Sequence, residues 1–242
     1  SEQRVSPADQ SVVVGNVTEL LAEDVAPMLK NIDSLDEDGK LNQTRLIDAL
    51  EEVAVRLQAN RCALISIIVR ETGRTLLDAD AEIREAIDFC RYYAAQARCL
   101  FRDPQVLRGP DGEHNTLTYR PIGTVVCISP WNFPMAIYVG QIAAALVTGN
   151  TVIAKPSEYA TISAFAITRL FHQAGFPKSH LHLIAGDGPT VGALLVKHPS
   201  VNSVVFTGAF TTAKIIRQSI ATAGGSPKRL IAETGGVNAM IV

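Results

Sequence analysis

The 242-residue chain predicts an α/β fold in which amphipathic helices lead into a doubly wound, mostly parallel sheet. From Gly123 onward, short apolar runs alternate with helical stretches, and strands that are apolar throughout belong to a sheet covered on both faces. In the first third, apolar residues return every three or four positions, the period of helices that pack one face on a core. Between the two parts lies a connector rich in glycine and proline.

In chain order, Leu46, Leu50, Val53 and Leu57 mark one amphipathic helix, and Ile83, Ala86, Ile87, Cys90 and Ala94 mark another. Glu71-Thr72-Gly73 supplies a helix stop between them. Asp103-Pro104 and Gly109-Pro110-Asp111-Gly112 make the connector irregular, and the alternating Thr116-Leu117-Thr118-Tyr119 predicts an exposed strand at its end. Strands are expected over 124–129, 151–155, 182–185, 203–207 and 230–232, with helices over 136–147, 163–174, 191–197 and 212–221. The closing run Asn238-Ala239-Met240-Ile241-Val242 reads as one more strand, which makes the chain look like a piece of a longer protein. The organisation expected is a helical part over 1–104, a connector over 105–120 and a sheet domain over 121–242.

Composition narrows the function classes. With 47% hydrophobic and 19% charged residues, the chain carries enough apolar material for a sizeable core. Its 22 basic and 24 acidic side chains are interspersed, so no field of one sign is available to draw nucleic acid or an anionic membrane, and a small-molecule partner is favoured. The start, SEQRVSPADQ, lacks a secretory pattern, and the apolar stretch after Met135 is interrupted by Gly140, Gln141, Gly149 and Asn150, too early for a membrane span. A cytoplasmic or mitochondrial-matrix protein is expected. The four cysteines, Cys62, Cys90, Cys99 and Cys127, show no CxxC pair and no histidine at metal-ligand spacing, so reduced, mostly buried thiols are expected, with no metal site.

Each polar cluster of the sheet domain follows a strand: Ser129-Pro130-Trp131-Asn132-Phe133-Pro134, Lys155-Pro156-Ser157-Glu158, Phe206-Thr207-Gly208 and Glu233-Thr234-Gly235-Gly236. In open α/β sheets ligands sit beyond the carboxyl ends of the strands, so clusters on this rim predict a site. Together ISPWNFP, AKPSE, FTG and LIAETGG resemble, in order, the motifs of the aldehyde dehydrogenase superfamily, from about residue 40 to the last residue. The phrases EIREAIDFCRYYAAQAR, YRPIGTVVCISPWNFP and LIAETGGVNAMIV are most similar to the 1-pyrroline-5-carboxylate (L-glutamate γ-semialdehyde) dehydrogenases, including the domain found in bifunctional proline-utilisation flavoproteins. The resemblance implies a Rossmann-like cofactor domain and NAD-dependent oxidation of an aldehyde to an acid, with FAD only where a proline dehydrogenase domain is fused to it. It also implies a homo-oligomer, with 105–120 forming a strand of an oligomerisation flap.

Residue roles follow from the same resemblance. Asn132 becomes the donor to an oxygen gaining negative charge during acyl chemistry, although an asparagine at that place could also cap the helix near Pro134. Phe133 becomes a wall of the aldehyde pocket, and Glu85 a candidate for the polar end of the semialdehyde. Lys155 and Glu158 are assigned to the ribose of the adenosine half, where a carboxylate disfavours a 2′-phosphate and so selects NAD; the alternative is a surface ion pair. Ser129, Pro130, Trp131, Ser157, Gly188, Phe206, Thr207, Gly208, Thr234 and Gly235 complete the cofactor set. Gly186, Gly188 and Gly192 depart from GxGxxG spacing and read more readily as packing glycines.

Glu233 becomes the general base that activates water to release the acid product. Relatives continue FTG with a serine, whereas this chain has Ala209 and Phe210, so one phosphate hydrogen bond worth about 1.5–3 kcal/mol is expected to be missing. The nucleophilic cysteine of the family lies in a GQRCS-like phrase a few dozen residues after the ETGG glutamate, beyond Val242, and the chain by itself is expected to be inactive. Cys127, inside a buried strand, is not a substitute. Two other readings remain open: a non-catalytic structural or regulatory domain of this family, and a dehydrogenase for another aliphatic aldehyde.

Overall fold

A computed structural model describes residues 1–35, 42–101, 103–236 and 239–240. The chain opens with β1 (Glu2–Val5) and β2 (Val13–Val17), paired antiparallel. This corrects the reading of the first third as helical throughout. Its turn is closed locally, the Ser11 amide donating to Asp9 Oδ1 at 2.9 Å. Val5, Val12 and Val13 are 40%, 39% and 47% exposed, so the Val12-Val13-Val14 run lies largely at the surface and only Val17 is buried.

Helices α1 (Ala22–Leu35), α2 (Gln43–Ala59), α3 (Arg61–Thr72) and α4 (Leu76–Phe101) follow. Each boundary has a local cause. Asn42 accepts from the Thr44 amide at 2.9 Å and caps α2. Gly73 ends α3 with φ +72°, the left-handed conformation that glycine takes without steric cost. Thr75 then accepts from the Asp78 amide and donates to its carboxylate at 2.8 Å, starting α4. The connector is a second short antiparallel pair, β3 (Gln105–Leu107) with β4 (Asn115–Leu117); the Gly109–Gly112 cluster lies in the irregular turn between them, and the exposed strand expected over 116–119 runs over 115–117.

The main sheet consists of β5 (Thr124–Ser129), β6 (Thr151–Pro156), β7 (Leu181–Leu183), β8 (Val201–Gly208) and β9 (Arg229–Thr234), all parallel in the order β7-β6-β5-β8-β9. The chain winds outward from β5 to β7, then crosses to β8 on the other side, so strand order reverses between β5 and β8. Helices α5 (Ala136–Val147), α6 (Thr161–Gln173), α7 (Ala193–Lys197) and α8 (Phe210–Thr222) make the crossovers. A π-turn over Gly188–Gly192 occupies what the sequence predicts as the first part of α7. Of the predicted terminal strand, Asn238, Ile241 and Val242 lie outside the described residues, and Ala239 and Met240 are in no regular element.

Alternation along the strands assigns the two faces. Val125, Cys127, Val152 and Ala154 point into a core shared with α2, α4, α5 and α6. Val126, Ile153, Val204 and Phe206 point into a second core with α1, α7 and α8. Helices α5 and α6 cover the first of these faces, and α2, α3 and α4 pack against them. Among the described residues, no helix is long and apolar enough to cross a membrane.

The cysteines divide evenly. Cys90 and Cys127 are buried, whereas Cys62 and Cys99 are exposed, which corrects the expectation of mostly buried thiols. Burial pushes the Cys90 thiol up to about 12 and Cys127 higher still, so neither ionises readily.

Glu71, at the end of α3, occupies a core position and caps a helix far along the chain. Its carboxylate accepts from the Ile162 and Ser163 amides, each at 2.7 Å, and from the Ser163 hydroxyl at 2.5 Å, at the start of α6. Burial pushes this carboxyl above its ordinary 4.5, against the opposing pull of Ser163, Ile162 and Arg4. The folded chain therefore holds that proton more tightly than the unfolded one, and the associated stability is present below 4.5 and lost as pH rises through the folded value. Glu71→Gln must turn an amide N–H toward one of these donors and is expected to cost about 1–3 kcal/mol. Denaturant unfolding should show that deficit shrinking as pH rises from about 4 through the folded value; a deficit that widens with pH would contradict the sign.

Candidate active site

Register brings three predicted or neighbouring site positions into one row. Ile128 of β5 lies beside Lys155 of β6 on one side and Phe206 of β8 on the other. Strand neighbours in register share a face, and these three side chains line a cavity of 470 Å³ together with Glu158, Gly188, Gly192 and the facing side of α8. The cavity stands over the carboxyl ends of the strands, across the point where strand order reverses, the place where doubly wound sheets bind ligands.

Lys155 is 2% exposed at the end of β6. Its ammonium donates to the Pro156 carbonyl at 3.2 Å. Burial pulls its pKa down, while Glu158, Asp187 and Glu19 pull it back up. Glu158 forms no ion pair with Lys155: its Oε1 accepts from the Gly188 amide at 2.8 Å, tying the β6 exit to the π-turn. The π-turn is itself capped by Asp187, which accepts from the Thr190 amide at 2.6 Å and the Val191 amide at 3.1 Å. Ser157 accepts from the Tyr159 amide and starts the 3₁₀ turn carrying Glu158. A Cβ on Gly186 would meet Val191 at 2.7 Å, so that glycine serves packing, whereas one on Gly188 would meet nothing within 4 Å.

Thr207 and Glu233 are offset by one residue and face the other way. They are register partners in β8 and β9 and line a second cavity, of 520 Å³, with Gln141, Phe89, Tyr93 and Ile231. Gln141 was not anticipated; its amide donates to Thr207 Oγ1 at 3.0 Å and to the Ile128 carbonyl at 3.2 Å, bridging the rim between β5 and β8. Ser129 is buried at the end of β5, its Oγ without a hydrogen-bond partner among the described residues. Gly208 is demanded by its neighbour, because a Cβ there would meet the Phe206 ring at 2.7 Å. Thr234 ends β9 exposed, and Gly235 follows it.

Pro130, Trp131, Asn132 and Phe133 form the turn between β5 and α5, with Trp131 54% and Phe133 36% exposed. Asn132 does not cap α5. The cap residue there is Met135, without a side-chain bond, and Glu82 of α4 takes the Met135 and Ala136 amides instead, at 2.9 and 3.3 Å. Glu85 lines neither sheet cavity but an open groove on α4 with Arg84, Asp88, Tyr92 and Phe89, the last of which also borders the 520 Å³ cavity.

The row of strand-end clusters thus occupies one rim of a doubly wound sheet, with two cavities on its two faces. A sequence profile described as the aldehyde dehydrogenase family matches residues 1–242. The chain belongs to the aldehyde dehydrogenase family. It is 42% identical to the bifunctional protein PutA of Klebsiella aerogenes over 242 residues, covering 98% of this chain and 18% of that protein. It is 35% identical over 245 residues to the 1-pyrroline-5-carboxylate dehydrogenase of Staphylococcus aureus (strain MW2), covering 98% of this chain and 47% of that protein. Among solved structures, a point mutant of the Thermus thermophilus 1-pyrroline-5-carboxylate dehydrogenase superposes with a TM-score of 0.88 at 34% identity, over 97% of this chain and 47% of that one. The chain therefore spans about half the length of such dehydrogenases and under one fifth of the bifunctional protein.

The start of α8 carries the family departure noted in the sequence. Ala209 occupies its cap position without a side-chain hydrogen bond, and Lys214 stands 4.6 Å from the ring of the exposed Phe210. Ala209→Ser adds a hydroxyl at that cap and is expected to stabilise the fold by about 1 kcal/mol. If the helix start also meets pyrophosphate, the same change should tighten NAD binding about tenfold. Calorimetric titration and thermal unfolding of the one variant separate the two effects; unchanged values of both would remove the serine argument.

Proposed function

We propose that the cavity holding Lys155, Glu158, Gly188 and Phe206 binds the adenosine half of NAD, and that the intact enzyme oxidises L-glutamate γ-semialdehyde, in equilibrium with 1-pyrroline-5-carboxylate, to L-glutamate. The observation that carries the cofactor reading is a buried ammonium opposite a carboxylate at the switch point of the sheet. A lysine 2% exposed needs acceptors, and ribose hydroxyls would supply them. Glu158 is tethered at the cavity wall and would disfavour the 2′-phosphate of NADP.

NAD, when bound, supplies the oxidant for the aldehyde. The chain's own residues bind and orient it and act on oxygen and water. Lys155 and Glu158 would hold its ribose, and Phe206 would line the same cavity. Asn132 would donate its amide to the substrate oxygen as negative charge develops there. Glu233 would take a proton from the water that releases the acid. The cysteine nucleophile of the reaction is assigned, as the family resemblance implies, to a part of the enzyme beyond Val242; Cys127 is no substitute, because burial keeps its thiol protonated.

The substrate assignment leans on the relatives' identity, as does the proposal that the intact protein is a homo-oligomer fused to a flavin-dependent proline dehydrogenase. NADH formation by the intact enzyme, compared between glutamate semialdehyde and unbranched aliphatic aldehydes, tests the substrate. Equal kcat/KM for both classes would replace this aldehyde with a broader set, and failure to bind NAD in a calorimetric titration would leave only a non-catalytic domain of the family.

A further inference from the structure

A buried carboxylate of α4 and a half-buried arginine of the link between α3 and α4 converge on the turn that carries Asn132. The Glu82 side chain is 0% exposed. One of its oxygens takes the first free amides of α5, from Met135 and Ala136, and the other pairs with Arg74 Nε at 2.9 Å. Arg74 continues the chain of contacts: its guanidinium donates to the Asn132 carbonyl oxygen and lies 4.5 Å from the centroid of the Phe133 ring. A single cation therefore touches residues 132 and 133, while its counter-ion holds 135 and 136.

Only the Asn132 carbonyl is used in this way. Among the described residues its side-chain amide has no hydrogen bond, and the residue is exposed. The backbone of the turn is clamped while the amide stays available to a group outside the chain. Arginine suits the position because its planar fork can pair with a carboxylate, reach a carbonyl and stack on a ring at once, which a lysine ammonium cannot do.

We propose that Arg74, braced by Glu82, is a positioning residue for the reaction, fixing the backbone of the 132–136 turn so that the Asn132 amide points at the substrate oxygen. The inference rests on the reading of Asn132 as that donor. Misplacing a reactive group by about 1 Å can cost on the order of 100-fold.

The test compares Arg74→Ala, Arg74→Lys, Asn132→Ala and the double variant Arg74→Ala/Asn132→Ala in the intact enzyme, reading single-turnover NADH formation and NAD affinity separately. Arg74→Ala is expected to slow the turnover step about 10–100-fold with NAD affinity unchanged. Arg74→Lys keeps a charge beside the buried Glu82, so it reports even where the alanine variant does not fold; a loss of about tenfold is expected. The double variant should be no slower than Asn132→Ala alone, because the arginine acts through the asparagine. Losses that multiply in the double variant, or full activity in Arg74→Lys, overturn the positioning role. Full activity in Asn132→Ala instead overturns the reading of Asn132 itself, a result distinct from the other two.

Discussion

Replacing Asn132 with alanine is expected to lower kcat of the intact enzyme by about 10²–10³-fold, the usual cost of removing one preorganised donor from a developing oxyanion. NAD affinity should not change, because Asn132 lines neither cavity of the sheet. The size of the effect follows from preorganisation. The carbonyl of Asn132 is held by Arg74 and the next helical turn by Glu82, so the amide loses little freedom when substrate arrives. The fold should be nearly indifferent to the change, since Asn132 is exposed and α5 takes its cap from Glu82. Asn132→Asp should be at least as damaging, because it sets a negative charge where negative charge develops. Single-turnover NADH formation beside a thermal unfolding curve checks both halves. A normal rate would end the assignment, and a large fall in melting temperature would move Asn132 to a structural role.

The second large effect is expected at Glu233. Glu233→Gln keeps the shape and removes the proton acceptor, and losing a positioned general base costs about 10²–10⁴-fold. Glu233 stands near the carboxyl end of β9, exposed, beside Thr207 in register. The residue is proposed to act on water after the oxidation, so the first turnover should release NADH at the normal rate and later turnovers should stall. A burst of about one NADH per active site, followed by a slow phase, is the expected trace. A variant that slows the burst itself would place Glu233 before the oxidation, and one with wild-type steady-state turnover would remove it from the mechanism.

The central strands were readable in the sequence because both faces of the sheet are covered there. Residues such as Val125 and Val126 enter opposite cores and are both apolar, so the strands appear as unbroken runs between helices. The hairpin of β1 and β2 gave no such signal, since Val5, Val12 and Val13 are partly in water and its turn is held by polar side chains. Buried charge was the other blind spot. Glu71 follows Leu64 and Ile68 on the buried face of α3, and Glu82 sits among Ala79, Ile83 and Ala86 on that of α4. Helical periodicity marks both positions as core, and residue type marks both as surface. The conflict itself was the available clue: a carboxylate in a core stripe must find donors, and here these are the first amides of α5 and α6.

The motifs located the rim of the site but not how its residues divide between the faces. Lys155 and Thr207 both close apolar strands, yet pairing with Ile128 falls on Lys155 and Phe206, which turns Thr207 and Glu233 to the other side. Register of this kind depends on partners far apart in the chain, so motif spacing alone cannot supply it.

The caps that Glu71 and Glu82 provide bear on where the polypeptide could be cut or joined to another gene product. A shortened version beginning near Gln105 would keep every strand of the main sheet, yet α5 and α6 would each start on bare amides and would lose α2, α3 and α4, the helices packed against them. The irregular stretch before β3 is a seam in the primary structure only. Recombination or truncation at that seam would not yield a smaller self-sufficient unit, because two of the sheet's helices borrow their first turns from the segment removed.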